Sequence, residues 1–303
     1  MMTSLRFDSA ESFRKSLEER LRAEASRSKV PLQRVRKHVV FERFLGRLLK
    51  VRQEGWALKG AVALNFRLGT VTRTTNDLDL GTSIGQAALD RIVRDATDVD
   101  LGDYLQFVIT GRDTQSYQEL TLLRFSIESR LAGRTFETFH IDVAIVREMD
   151  FVSDQVLAPA LLSFADIDPV SVPTIPLESH IADKVHALTR PRGGRLNTRV
   201  KDLADLVMLA STPHFNFDTE AIAVAIVSIF RIEPTHDVPE ALPGMPAVWN
   251  AEYRRIAETM DIEADLLDIN EGEKVVHAAV DPALRRACEI ISRASAVHGP
   301  TNH

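Results

Sequence analysis

The sequence predicts an α/β (α+β) protein in which a small mixed sheet with helices against it is followed by a helical lobe. Three observations carry this. Between residues 56 and 146, short segments alternate apolar and polar residues with the two-residue period of half-buried strands. After Phe151, Pro159, Pro169, Pro173 and Pro176 punctuate a connecting stretch, and helical periodicity dominates beyond it. The 303 residues, 45% hydrophobic and 26% charged, suffice for two modest globular domains. The division is placed at residue 155, with leading helices and the sheet core in 1–155 and the helical lobe in 156–303.

The elements follow in order. Asp8-Ser9-Ala10-Glu11 is a helix start, followed by Phe13, Leu17 and Leu21 on one face. Pro31 opens a second helix, with Leu32, Val35, Val39, Leu45 and Leu49 as its apolar side. Trp56-Ala57-Leu58 is a short buried strand running into Gly60, and a small helix from Ala61 to Leu68 stops at Gly69. Leu78 and Leu80 alternate with Asp77 and Asp79 as a strand with one buried face. A helix from Gln86 to about Asp98 precedes a strand near Tyr104–Thr110. In the next pair, Leu123, Phe125 and Ile127 oppose Arg124, Ser126 and Glu128; Gly133 turns the chain, and Phe136–Val146 returns as the partner. Helices are then expected at Glu178–Leu188, Arg199–Ala210, Glu220–Phe230, Ala247–Met260 and Pro282–Ala296, with a loose tail over 298–303.

Composition narrows the function classes. The single cysteine, Cys288, rules out an internal disulfide and fits a reducing compartment. The N-terminus has no apolar segment of the secretory type, and no apolar run approaches the roughly 18 residues of a membrane helix. A cytoplasmic protein without a membrane partner is expected. The net charge of −6 hides an asymmetry: residues 1–52 carry fourteen Lys/Arg against six Asp/Glu, a balance of +8, so the remainder sums to −14. Such an arm either grips a phosphate backbone or is merely the solvated side of two surface helices. His140, His180 and His186 have no zinc spacing, and neither a Ser-His-Asp order nor a Walker loop is present.

The chemistry-bearing residues are carboxylates. Asp77 and Asp79, two apart on a strand, point to one face about 6–7 Å apart at the backbone, close enough to converge on divalent ions. Magnesium takes hard oxygen ligands, typically one or two carboxylates together with substrate phosphates. In Ile141-Asp142-Val143, Asp142 lies on the polar side of a strand whose other side is apolar. A charge so placed needs a partner or a metal, or else an edge strand that turns it to water. Three carboxylates from two strands hold metal, and Asp142 is the candidate base for a hydroxyl. Upstream, Lys59-Gly60-Ala61 marks a strand-to-helix turn where a glycine and helix N–H groups suit a phosphate.

The order of these motifs resembles the nucleotidyltransferase superfamily, with Ala61 replacing a frequent Ser or Gly. More specifically, four segments resemble the AbiEii/AbiGii-type toxin family, which includes the MenT toxins. They are Leu58–Leu64 (LKGAVAL), Arg73–Leu80 (RTTNDLDL), Ile181–Leu188 (IADKVHAL) and Arg199–Leu206 (RVKDLADL), within residues 58–206. The resemblance implies a nucleotidyltransferase core with a helical C-terminal lobe, paired with a cognate antitoxin. It further implies transfer of a nucleoside monophosphate from an NTP, with CTP or another pyrimidine favoured, to the 3′ end of tRNA, which blocks translation.

By the same resemblance, Asp77, Asp79 and Asp142 hold Mg2+ and act in catalysis together with Lys184 and Asp202. Lys59, Gly60, Ala61, Arg73, Thr75 and Lys184 then bind the nucleotide. Lys184 sits among Ile181, Val185 and Leu188, so it is read near the core, as a phosphate ligand or a snorkelling side chain. Asp205 shares a face with Asp202 and is assigned a structural pair. Arg190, Arg192, Arg195, Arg199 and Lys201 flank Gly193-Gly194 as a basic loop for triphosphate or RNA. Two rivals stand: the same chemistry on a protein or small-molecule acceptor, and an inactive nucleotide-binding module.

Overall fold

The computed structural model describes residues 7–69, 73–117, 120–146, 153–194, 197–212, 215, 217–260 and 262–297. The expected tail at 298–303 and Arg195 lie outside them. The chain forms two compact units: residues 1–70 with 74–175, and residues 71–73 with 176–303.

The first unit is built on a seven-stranded mixed sheet. Its strands are β1 (Trp56–Lys59), β2 (Asp77–Thr82), β3 (Leu105–Tyr117), β4 (Leu120–Leu131), β5 (Arg134–Ile145), β6 (Asp154–Leu157) and β7 (Ser171–Thr174). They lie in the order β3-β4-β5-β2-β1-β7-β6. The pairs β2–β5 and β1–β7 are parallel; the others are antiparallel. Alternation fixes which face is covered. Leu78, Leu80, Phe125, Ile127, Phe139, Ile141 and Val143 are buried in the core. Helix α2 (Leu32–Val51) packs on this face, with Phe41 and Phe44 edge-on to Phe139 at 5.4 and 5.9 Å between ring centroids. Helix α1 (Ala10–Arg27) is capped by Ser9, whose hydroxyl accepts from the Ser12 N–H at 3.2 Å, a contact worth roughly 1 kcal/mol. Helices α3 (Gly60–Leu68) and α4 (Gln86–Asp98) complete the unit.

Part of the basic excess of the first 52 residues is turned inward, while Lys15, Arg20, Arg22, Arg27, Lys29, Lys50 and Arg52 remain exposed. Arg34, Lys37, Arg43 and Arg47 of α2 are all buried. Arg43 and Arg47 fork onto the buried Asp103 at 2.6–2.9 Å, and Arg47 also stacks over Phe107. Arg36 pairs with Glu18, and Arg14 donates to the Leu131 carbonyl at 2.7 Å. Helix α2 is thus a core helix rather than a basic surface arm. Helical periodicity alone does not distinguish a lysine that pairs internally from one that faces water.

The connecting stretch contains a hairpin that the prolines concealed. β6 and β7 are four residues each, and Pro173 stands within β7 opposite Gln155. Leu58 of β1 pairs in parallel with Thr174, which ties this hairpin to the sheet.

The second unit is helical: α5 (Leu177–Thr189), α6 (Val200–Ser211), α7 (Thr219–Ile232), α8 (Asn250–Ala257) and α9 (Ile269–Val297). α9 begins thirteen residues before the expected Pro282, which lies inside it. An interior proline costs about 3 kcal/mol. Burial of Val276, Val280, Ala283, Leu284 and Ala287 on both sides of it outweighs that cost. No helix of the described residues is long and apolar enough to cross a membrane.

Candidate active site

The face of the sheet turned away from α2 carries the carboxylates. In register, Lys59 of β1 stands opposite Asp79 of β2, Asp79 beside Asp142 of β5, Asp142 opposite Arg124 of β4, and Arg124 opposite Asp113 of β3. Directly paired residues share a face, so five charged residues form one row across five strands. The next row holds Asp77, His140 and Ser126. His140 Nδ1 lies 3.2 Å from the Ser126 hydroxyl. Asp77, Asp79 and Asp142 are all half-buried, so solvent reaches them.

The turn beneath this row is shaped by a missing side chain. Gly60 follows β1 with φ +70°, and a Cβ built on it would lie 2.0 Å from Asp79 Oδ2. A side chain at position 60 is therefore excluded twice, by backbone conformation and by the carboxylate. Ala61, next along α3, is fully buried. The Thr75 hydroxyl accepts from the Asp77 N–H at 3.3 Å and so orders the entry to β2.

Two basic residues that the sequence motifs did not single out address the carboxylates. Arg124 forks onto Asp142, Nε to Oδ1 at 2.7 Å and Nη2 to Oδ2 at 2.5 Å. Hydrogen bonding to Asp142, with attraction from Asp77 and Asp79, holds its guanidinium above the ordinary value. The signal was available: parity puts Arg124 and Asp142 on the polar sides of neighbouring strands, though only the register pairs them. Lys37, buried on α2, contacts the Thr138 carbonyl and lies 3.6 Å from Glu137. Burial pushes its ammonium below the ordinary value against the pull of Glu137 and Asp77.

The donor set fits a hard divalent cation. Asp77 and Asp79 offer carboxylate oxygens on one face of β2, and the bare Gly60 leaves room for the Asp79 carboxylate to lie against it. Asp142 stands at the same register as Asp79, but both its oxygens are taken by Arg124. Among the described residues, no three His, Cys, Asp or Glu side chains are gathered to hold a metal ion.

The other candidate residues belong to the second unit. Lys184 of α5 is buried, its Nζ 2.6 Å from Asp205 Oδ2 and 3.2 Å from Asp202 Oδ1 of α6. Burial opposes its charge, but Asp205 and Asp202 overcome this and hold the ammonium above its ordinary value. Arg73 donates to both Asp205 oxygens at 3.1 and 3.2 Å, and Arg199 lies 3.7 Å from Asp202. Asp205 is thus the hub of this cluster.

Comparison with known proteins supplies the family. The family described as "Nucleotidyl transferase AbiEii toxin, Type IV TA system" matches residues 43–287, most of the chain. The chain belongs to the AbiEii nucleotidyltransferase toxin family. This membership carries nucleotidyl transfer from an NTP as the class of chemistry, and a cognate antitoxin as partner. Among solved structures, MenT4, a nucleotidyltransferase toxin from Mycobacterium tuberculosis H37Rv, is similar in fold, with a TM-score of 0.52 at 15% identity over 94% of this chain and 98% of that one. JHP933 from Helicobacter pylori aligns with a TM-score of 0.43 at 14% identity, over 86% of this chain and 97% of that one. No curated protein sequence matches the chain. The AbiEii segments named from the sequence fall on β1–α3, β2, α5 and α6.

Proposed function

We propose that this AbiEii-family chain transfers a nucleoside monophosphate from a pyrimidine NTP to the 3′-hydroxyl of tRNA in the cytoplasm, releasing pyrophosphate and blocking translation until its antitoxin restrains it. The observation that carries the chemistry is the carboxylate row, with Asp77 and Asp79 on one strand face, Asp142 beside Asp79, and bare Gly60 against them.

Asp77 and Asp79 would hold Mg2+, which supplies charge stabilisation at the transferred phosphoryl group. Asp142 accepts the proton of the attacking hydroxyl. The N–H groups that open α3 after Gly60, with Lys59 beside them, bind the triphosphate. Thr75 keeps the start of β2, and so Asp77, in place through its hydrogen bond to the Asp77 N–H. Lys184 is assigned to the nucleotide phosphates, and its pairing with Asp205 and Asp202 keeps it cationic for that task. Asp202 positions Lys184, and Arg73 acts through Asp205, which it holds. RNA recognition rests on the family assignment; the exposed cations of the N-terminal helices, such as Lys15, Arg20, Arg22 and Arg27, are available to a phosphate backbone.

The test is incubation of the protein with each α-labelled NTP, Mg2+ and total tRNA. Label from CTP or UTP at the tRNA 3′ end is expected. Label entering protein or a small molecule overturns the tRNA assignment, and no label from any NTP favours a nucleotide-binding module.

A further inference from the structure

We propose that Arg124 is a resident counter-cation that keeps Asp142 closed to metal until the polyphosphate of the nucleotide draws the guanidinium away. The proposal rests on the reading of Asp77 and Asp79 as the metal-holding pair.

Geometry argues first. Asp142 is the carboxylate nearest in register to Asp79, yet both its oxygens are hydrogen-bonded to one guanidinium at 2.7 and 2.5 Å. A fork-to-fork pair occupies the lone pairs on that side of the carboxylate. It also places a positive charge in the same row where a second cation would have to sit, so the two repel.

Surroundings argue next. The first unit contains a comparable arrangement in Arg43 and Arg47 on Asp103, and there all three side chains are buried. That pair is locked, because separating its members leaves charge in a dry core. Arg124 is half exposed and Asp142 about a quarter exposed. Water compensates either partner on separation, so the pair opens cheaply. An exposed arginine is also well suited to receive phosphate oxygens through the same fork. Its neighbours favour exchange over permanent docking: Asp113 stands opposite Arg124 in the register, and its Oδ1 accepts from the Thr114 N–H. Arg124 accordingly has two partners, Asp142 without nucleotide and phosphate oxygens with it. It holds the candidate base oriented without nucleotide and gives it up when a polyanion arrives, so that occupancy of Asp142 depends on substrate.

Manganese binding to the full-length protein, read by electron paramagnetic resonance of the free ion without nucleotide, tests this. Arg124→Gln is expected to bind Mn2+ roughly tenfold more tightly than the wild type, and adding Asp142→Asn to it is expected to cancel the gain. Arg124→Lys, which keeps the charge, should remain near wild type. In EDTA, calorimetry should show CTP binding weakened at least fivefold by Arg124→Gln. Unchanged or weaker Mn2+ binding in a folded Arg124→Gln protein overturns the proposal, as does unchanged CTP binding. The underlying site reading fails separately, if Asp79→Asn leaves Mn2+ binding as it is in the wild type.

Discussion

The two units each hold a cluster of carboxylates and cations, and the clusters differ in what surrounds them. In the second unit Asp205 is fully buried, with Lys184 and Arg73 on its oxygens. In the first, Asp77, Asp79 and Asp142 share one face of the sheet and remain half-buried, within reach of water. A buried, mutually satisfied cluster is needed for folding whatever else its members do, since removing one strands another's charge. A half-buried row of carboxylates retains capacity to bind, at the cost of mutual repulsion. Motifs mark both clusters alike; burial separates them.

The largest effect should fall on the buried cluster. Asp205→Ala leaves Lys184 and Arg73 without their shared carboxylate, and a loss of about 3–5 kcal/mol is expected in urea unfolding. A loss below 1 kcal/mol would show that the cluster is not structural. On the sheet face the pattern should invert. Asp79→Asn should reduce nucleotidyl transfer roughly 100- to 1,000-fold while shifting the unfolding midpoint little, since the side chain is half-buried. A variant that unfolds but still transfers label would erase the distinction between the two clusters.

A third comparison lies within the first unit. Glu42, buried next to Arg43, has its carboxyl pushed up to about 7 by burial, with Arg43 pulling the other way. A folded value above the unfolded one near 4.5 means that the native state binds the extra proton. Its contribution is therefore complete below that unfolded value and is lost as pH rises through about 7. Glu42→Gln should remove this fall, worth roughly 3 kcal/mol. Thermal midpoints measured from pH 4 to 8 would show it as a flatter profile; parallel profiles for both proteins would refute it. A fourth comparison is offered by Gly60→Ala. Positive φ alone costs a side chain about 1–2 kcal/mol. Contact with Asp79 adds displacement of the carboxylate, so transfer should fall more than stability does. Equal losses in both would point to a purely conformational glycine.

Much of this was legible in the sequence because alternation carries it. Leu78 and Leu80 against Asp77 and Asp79, and Ile141 and Val143 against Asp142, fix the faces of β2 and β5 without any structure. Parity does not give register, and the Arg124–Asp142 pair depends on the register of β4 against β5. The β6–β7 hairpin was hidden because four-residue strands among prolines carry too few alternations to register as strands. The buried cations of α2 escaped for a related reason: a helix whose Arg and Lys find internal carboxylates looks, in sequence, like a solvated one. That Asp205 forms an ion pair is legible from its place on α6, but not that it stands between Lys184 and Arg73, since Arg73 lies more than a hundred residues away in sequence.

The central claim, nucleotidyl transfer built on Asp77 and Asp79, is tested most directly by the fate of the α-phosphate. Protein, Mg2+, tRNA and CTP or UTP labelled at either the α or the γ position should give RNA carrying α label only, with γ label recovered in pyrophosphate. The same reaction with Asp79→Asn should leave RNA unlabelled. Transfer of γ label to any acceptor, or undiminished α transfer by a folded Asp79→Asn protein, would contradict the account.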